Sequence, residues 1–196
     1  KPRGICGSGY IDALAELFLH RILERDGKIS RSIKSSRIRE METGLEFVLA
    51  FKDETSIGAD IVITEQDIEN LKRSKASIYS ATATLLGKLN LGFNDVKRFY
   101  IAGGFGTYLD IEKAVTIGLL PDFDRSRFTF IGNSSIVGAR EALLSYEAFH
   151  KAEEIASKMT YLELSVEPGY MDEYIKALFF PHTDLARFAS VKVHAA

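Results

Sequence analysis

The chain has no tryptophan, one cysteine and four prolines in 196 residues. The lone cysteine, Cys6, excludes an internal disulfide framework. It equally excludes an iron–sulfur or zinc site built from this chain's cysteines alone. It fits a reducing cytoplasm, the expected location. Neither sign of charge dominates: 25 Lys and Arg stand against 27 Asp and Glu, a formal net charge of −2. With no basic block, neither a nucleic-acid partner nor an anionic membrane surface is expected. No apolar run approaches the roughly 20 residues that would cross a bilayer. Signal-peptide patterning is absent too, and Lys1-Pro2-Arg3-Gly4 leads straight into a glycine-rich loop. The expectation is a piece of a longer protein.

Enough apolar residues are present to build a core, at 46% of the chain. Ile11, Leu14, Ala15, Phe18 and Ile22 fall at helical spacing, predicting a helix from about Tyr10 to Arg25 with Gly27 closing it. Arg37–Glu42 and Glu46–Lys52 flank Thr43-Gly44 as a hairpin would, and Ile61–Ile63 is a short extended piece. The longest predicted helix runs from about Glu65 to Leu91. Thr64 is its N-cap, Glu65 and Asp67 lie in its first turn, and Gly92 follows its end. Its apolar stripe reads Ile68, Leu71, Ile78, Leu85 and Leu89, with Lys75 and Thr82 in the gaps. A strand over Arg98–Ala102, a helix over Asp110–Gly118 and a strand over Phe128–Ile131 follow. Next come a helix through Leu144 capped by Ser134 or Ser135, and another over Tyr146–Lys158. Tyr161–Val166 alternates like a strand with one solvated face. A final helix spans Tyr170–Phe179. Helices alternating with strands predict an α/β domain.

Tyr100-Ile101-Ala102-Gly103-Gly104-Phe105-Gly106 is the most informative stretch. A buried strand that runs into glycines gives up side chains where the backbone must approach something. Two readings stand: close approach to a nucleotide, or a tight strand-to-helix turn. Neither a Rossmann fingerprint nor a P-loop is present, because position 109 is Leu109 and no Gly-Lys-Ser/Thr occurs. A second cluster, Gly4-Ile5-Cys6-Gly7-Ser8-Gly9, opens the first helix. Backbone amides there suit phosphate, with Ser8 adding a hydroxyl, or they form a plain loop. Cys6, without a histidine partner in view, reads as structural. Lys75 either snorkels to the helix edge or, with Lys72 a turn away, meets a polar ligand. Gly138 inside a helix costs about 1 kcal/mol relative to Ala, so Gly138-Ala139 predicts close packing against another element. His182-Thr183-Asp184 is too sparse for a metal site, and no metal ligands are assigned.

The order of these pieces resembles the second half of the actin-like ATPase (ASKHA) fold, shared by sugar kinases, actin and the seventy-kilodalton chaperones. A narrower resemblance covers nearly the whole chain. Gly4–Gly9, Asp60–Thr64, Tyr100–Gly106, Leu109–Ala114, Ile117–Asp122, Met159–Ser165 and Phe180–Asp184 look like the C-terminal domain of reductive activators of corrinoid proteins. The resemblance implies a ribonuclease-H-like C-terminal lobe, a mixed sheet flanked by helices, spanning 1–184 with a tail over 185–196. It implies that Gly103, Gly104 and Gly106 border the adenosine of ATP, that Lys75 and Lys72 approach it, and that Gly7, Ser8 and Gly9 help hold the nucleotide. Gly138 and Ala139 would lie at the interdomain hinge. Mg²⁺ ligands and Asp-Gly-Thr phosphate loops, absent from this chain, would belong to the other lobe, and an iron–sulfur cluster to the full-length protein. The implied partner is a corrinoid protein or corrinoid-dependent methyltransferase whose Co(II) is returned to Co(I) at the expense of ATP. A homodimer is also compatible. Such a fragment is expected to hydrolyse ATP poorly or not at all. Two rival readings are the distal lobe of a sugar or acid kinase on the same fold, and a non-enzymatic protein-docking module.

Overall fold

The computed structural model describes residues 1–104 and 108–192. Its elements are α1 (Gly7–Leu19), β1 (Ile38–Met41), β2 (Gly44–Ala50), β3 (Ile61–Thr64), α2 (Glu65–Lys88), β4 (Phe99–Ala102) and α3 (Ile111–Thr116). After these come β5 (Phe128–Gly132), α4 (Ser134–Leu144), α5 (Tyr146–Lys158) and α6 (Tyr170–Ala177). Two sheets form. β1-β2-β3 is antiparallel, with Phe47 paired to both Ile38 and Ile63, and β4-β5 is parallel, with Phe99 opposite Phe128.

α1 begins earlier and ends sooner than its apolar spacing suggests. Gly7, Ser8 and Gly9 are its first turn, and it stops at Leu19. Ile22 N–H donates to Leu17 O at 2.8 Å and Arg21 N–H to Phe18 O at 3.1 Å. These are the two bonds of a Schellman stop, with Arg21 at φ 62° where glycine is usual. Gly27 instead closes a turn, its N–H donating to Glu24 O at 3.0 Å.

α2 starts as its sequence indicates. Thr64 Oγ1 accepts from Asp67 N–H at 3.1 Å, and Asp67 Oδ2 accepts from Thr64 N–H at 3.0 Å, a reciprocal capping box. Its buried face differs from the expected stripe. Ile68, Lys75, Ala76, Tyr79 and Ser80 are buried, whereas Ile78, Leu85 and Leu89 are exposed. The side that packs is the one facing α6 and the chain beyond it, where Tyr79 lies against His182 and Phe188 at ring separations of 5.3 and 5.5 Å. The core gathers α1 (Ile11, Leu14, Phe18), α3 (Ala114, Val115) and this C-terminal strap (Phe180, Phe188).

Within the expected tail over 185–196, residues 185–190 pack on the lobe. Phe188 is 1% exposed, and Ser190 Oγ donates to Asp122 Oδ1 at 2.6 Å. Residues 193–196 lie outside the described residues. The expected strand at Tyr161–Val166 does not form: 159–163 joins no sheet, and Leu164–Val166 is a 3₁₀ turn. No residue of α4 or α5 is buried, and a Cβ on Gly138 would meet nothing within 4 Å. The close packing expected at Gly138 is therefore not made by the described residues. Among the described residues, no helix is long and apolar enough to cross a membrane.

Candidate functional site

β4 and β5 run parallel, and each passes at its carboxyl end into a loop and a helix. Ligands of open α/β sheets sit in that position. Gly103 is at φ 98°, a left-handed conformation that glycine adopts without strain, and its N–H donates to Gly132 O at 2.7 Å. A Cβ on either Gly103 or Gly104 would meet nothing within 4 Å. No described residue packs tightly against these glycines, and beside their backbone the described residues leave open space. Gly106 lies outside the described residues. Across the strand pair, Asn133 Oδ1 accepts from Ile136 N–H at 3.2 Å and caps α4. The cap is therefore Asn133 rather than Ser134 or Ser135, because it is the Asn133 side-chain carbonyl that reaches the third helical amide.

The second glycine cluster opens α1, which packs on α3. Glu16 pairs with Lys113 through an ion pair, and Asp12 feels the charge of Asp110, the α3 N-cap. The two helices therefore lie with their N-termini together, and Gly7–Gly9 extends about one turn beyond Asp12. Cys6 caps α1: its Sγ accepts from Gly9 N–H at 3.4 Å and lies 3.4 Å from Ser8 Oγ. The Ser8 hydroxyl, then Gly9 N–H, hold the exposed thiol below its ordinary pKa. Ser8 is buried, and its hydroxyl is turned to Cys6.

Asp12 is an addition that sequence reasoning did not single out. Burial and then Asp110 push its carboxyl up, and its Oδ1 is buried with no hydrogen-bond partner among the described residues. The signal available was an acid one turn after Gly9 with a second acid, Glu16, one turn further along the same face.

The two lysines go elsewhere. Lys75 is fully buried, and its Nζ donates to the carbonyl oxygens of Ala177 (2.5 Å), Phe179 (2.6 Å) and Pro181 (2.9 Å). Three acceptors match the three protons of an ammonium, so none is left for a ligand. The Phe180 ring lies 5.2 Å away as a cation–π partner. Desolvation, then the neighbouring Lys72, pull the Lys75 pKa well below the lysine range. Pro181 O is also pressed on by Gly118, where a Cβ would stand only 2.0 Å from it. Lys75 therefore neither snorkels nor faces the glycines; it clamps the C-terminal strap. Lys72 pairs with Glu69 at 2.6 Å and donates to Asp26 O at 2.8 Å. Among the described residues, no group of three or more His, Cys, Asp or Glu is placed to hold a metal.

What the described residues offer a ligand is open space beside the backbone of Gly103 and Gly104 and the N-terminus of α1, with neither Lys72 nor Lys75 turned to them. That arrangement, on a two-stranded parallel sheet with an antiparallel sheet beside it, defines one lobe of an actin-like α/β domain. The chain belongs to the family described as the C-terminal domain of RACo, the ASKHA domain, whose model matches residues 1–192. It is 31% identical over 186 residues to the corrinoid activation enzyme RamQ of Eubacterium limosum, covering 91% of this chain and 31% of that protein. It is 27% identical over 179 residues to the [Co(II) methylated amine-specific corrinoid protein] reductase of Methanosarcina barkeri, covering 90% of this chain and 29% of that protein. A solved reductive activator for corrinoid,iron-sulfur protein matches with a TM-score of 0.90 and 55% identity, over 95% of this chain and 30% of that one. The chain thus spans about a third of the length of the relatives it matches.

Proposed function

We propose that this chain is the nucleotide-facing C-terminal lobe of an ATP-dependent reductive activator that returns Co(II) to Co(I) in a corrinoid protein or a corrinoid-dependent methyltransferase. The observation that carries the reading is the open space at Gly103 and Gly104, at the carboxyl end of a parallel strand pair. ATP fits this surface in one respect and not in another. Bare backbone beside Gly103 and Gly104 accepts a flat nucleoside, and the α1 N-terminus around Gly7, Ser8 and Gly9 offers partial positive charge. Neither Lys75 nor Lys72 is turned to the phosphates, since both are engaged with other partners. Phosphate charge and Mg²⁺ therefore fall to the part of the activator outside this chain, as does the iron–sulfur cluster, for which Cys6 alone is insufficient. Reduction to Co(I) is uphill, so nucleotide binding must favour one arrangement of the two lobes over another. This lobe's part is to recognise the nucleoside and close on it. The chain by itself is expected to turn over little or no ATP.

Gly104 is the clean test position, because its φ is not in the left-handed region whereas that of Gly103 is. Gly104→Val should leave the thermal midpoint of the full-length activator within about 2 °C, since the new side chain meets open space. It should weaken ATP and ADP, by isothermal titration, at least about tenfold. Unchanged affinity would show that no ligand sits against the glycine.

A further inference from the structure

The segment between α5 and the 3₁₀ turn at Leu164–Val166 is written as a strand and has nothing to pair with. Tyr161, Leu162, Glu163 and Leu164 alternate, and Met159 and Glu163 have extended backbone at φ/ψ of −73/135° and −80/98°. Among the described residues, the amides of Thr160, Tyr161 and Leu162 make no backbone hydrogen bond. Met159 and Tyr161 are 76% and 80% exposed. On α5, Ile155, one turn before Met159, is exposed as well. Natural proteins do not leave an unpaired apolar edge of this kind open.

We infer that residues 159–163 are a docking strand, paired in the full-length activator by a strand from the part of the same polypeptide that lies outside this chain, with an apolar face turned to α5. The inference rests on the activator reading for the existence of that remainder. Two observations choose this occupant. The solved relative has this lobe as 30% of its length, so most of its residues must find surfaces on or beside it. The surface is also permanent in character: α4 and α5 bury no residue, and they present Ile136, Leu143, Leu144 and Ile155. Such composition resembles a core cut in half, as in obligate contacts. A corrinoid protein that must dock and leave at every cycle calls for a more polar face.

Amide hydrogen exchange on the full-length activator, without ATP and without corrinoid protein, tests the pairing. Alternate amides of the segment, 160 and 162 or 161 and 163, should exchange at least about 100-fold more slowly than in an unstructured peptide. Thr160→Pro and Tyr161→Pro give a second reading, because successive strand amides point to opposite edges. One of the two should restore fast exchange along 160–163 and the other should not; Met159 already has the extended backbone that a following proline requires. Fast exchange in the wild type overturns the proposal. So does protection that appears only on adding corrinoid protein, or only at concentrations where ultracentrifugation shows a dimer. Because the readout uses neither nucleotide nor cobalt, it can fail while the activator reading stands, and the reverse.

Discussion

Lys75 shows how far a single side chain can mislead when its partners are distant in sequence. On the helix it interrupts an apolar stripe and invites a ligand. In the fold its three protons meet three carbonyls 102, 104 and 106 residues downstream. Nothing within one helical turn carries that information. Its replacement should be costly, since three buried carbonyls would lose charged donors. Lys75→Met is expected to lower stability by roughly 3 kcal/mol or more, read as a shift in urea midpoint; a change within experimental scatter would mean the clamp is dispensable. By contrast, Thr64 and Asp67 announce the start of α2 plainly, because both halves of a capping box lie within four residues. Gly103 was legible as a special backbone position, but whether it faces packing or open space required the fold.

At the scale of elements, local signals were reliable where the element stabilises itself and poor where its partner decides. The β1–β2 hairpin and α5 lie close to where their patterns put them. α1 overran because its stop uses Arg21 in a left-handed conformation, which carries no glycine signal. The apolar stripe of α2 is buried in its first half, at Ile68 and Lys75, but Ile78, Leu85 and Leu89 are exposed, because the second half packs through Ala76, Tyr79 and Ser80 instead. The C-terminal strap is held by a polar set that spacing could not reveal. His182 Nε2 lies 3.5 Å from Glu173 Oε1, Arg187 pairs with the same carboxylate, and Asp184 N–H donates to His182 Nδ1 at 3.0 Å. His182, and with it Arg187, hold the Glu173 carboxyl below its ordinary value of 4.5. A carboxyl whose pKa is depressed by folding contributes stability above its unfolded value and loses it as pH falls through the folded value. Stability measured by urea midpoint should therefore decline as pH drops below about 4.5, and Glu173→Gln should flatten that decline. An identical acid limb in the variant would remove the strap from this account.

At the scale of the whole molecule, the lobe is complete on one side and unfinished on the other. Its interior is closed by α1, α3, α6 and the strap. Its opposite side exposes α4, α5 and the outer residues of β4 and β5, including Tyr100 and Ile131. A parallel sheet normally has both faces covered, and the chain is about a third of its relatives' length. The α/β class and the family likeness were legible because they rest on many short stretches in order. The division of labour was legible only in part, because the lysines proved structural.

In the proposed function, the Gly103–Gly104 end of this lobe couples nucleotide binding to cobalt reduction. The most direct measurement follows Co(I) formation by absorbance, with the full-length activator, reductant, Co(II) corrinoid protein and ATP, comparing wild type with Gly104→Val. Loss of ATP-dependent Co(I) in the variant, with its iron–sulfur cluster still reducible and its fold intact, is the predicted result. Co(I) formed at the wild-type rate by Gly104→Val would contradict the account.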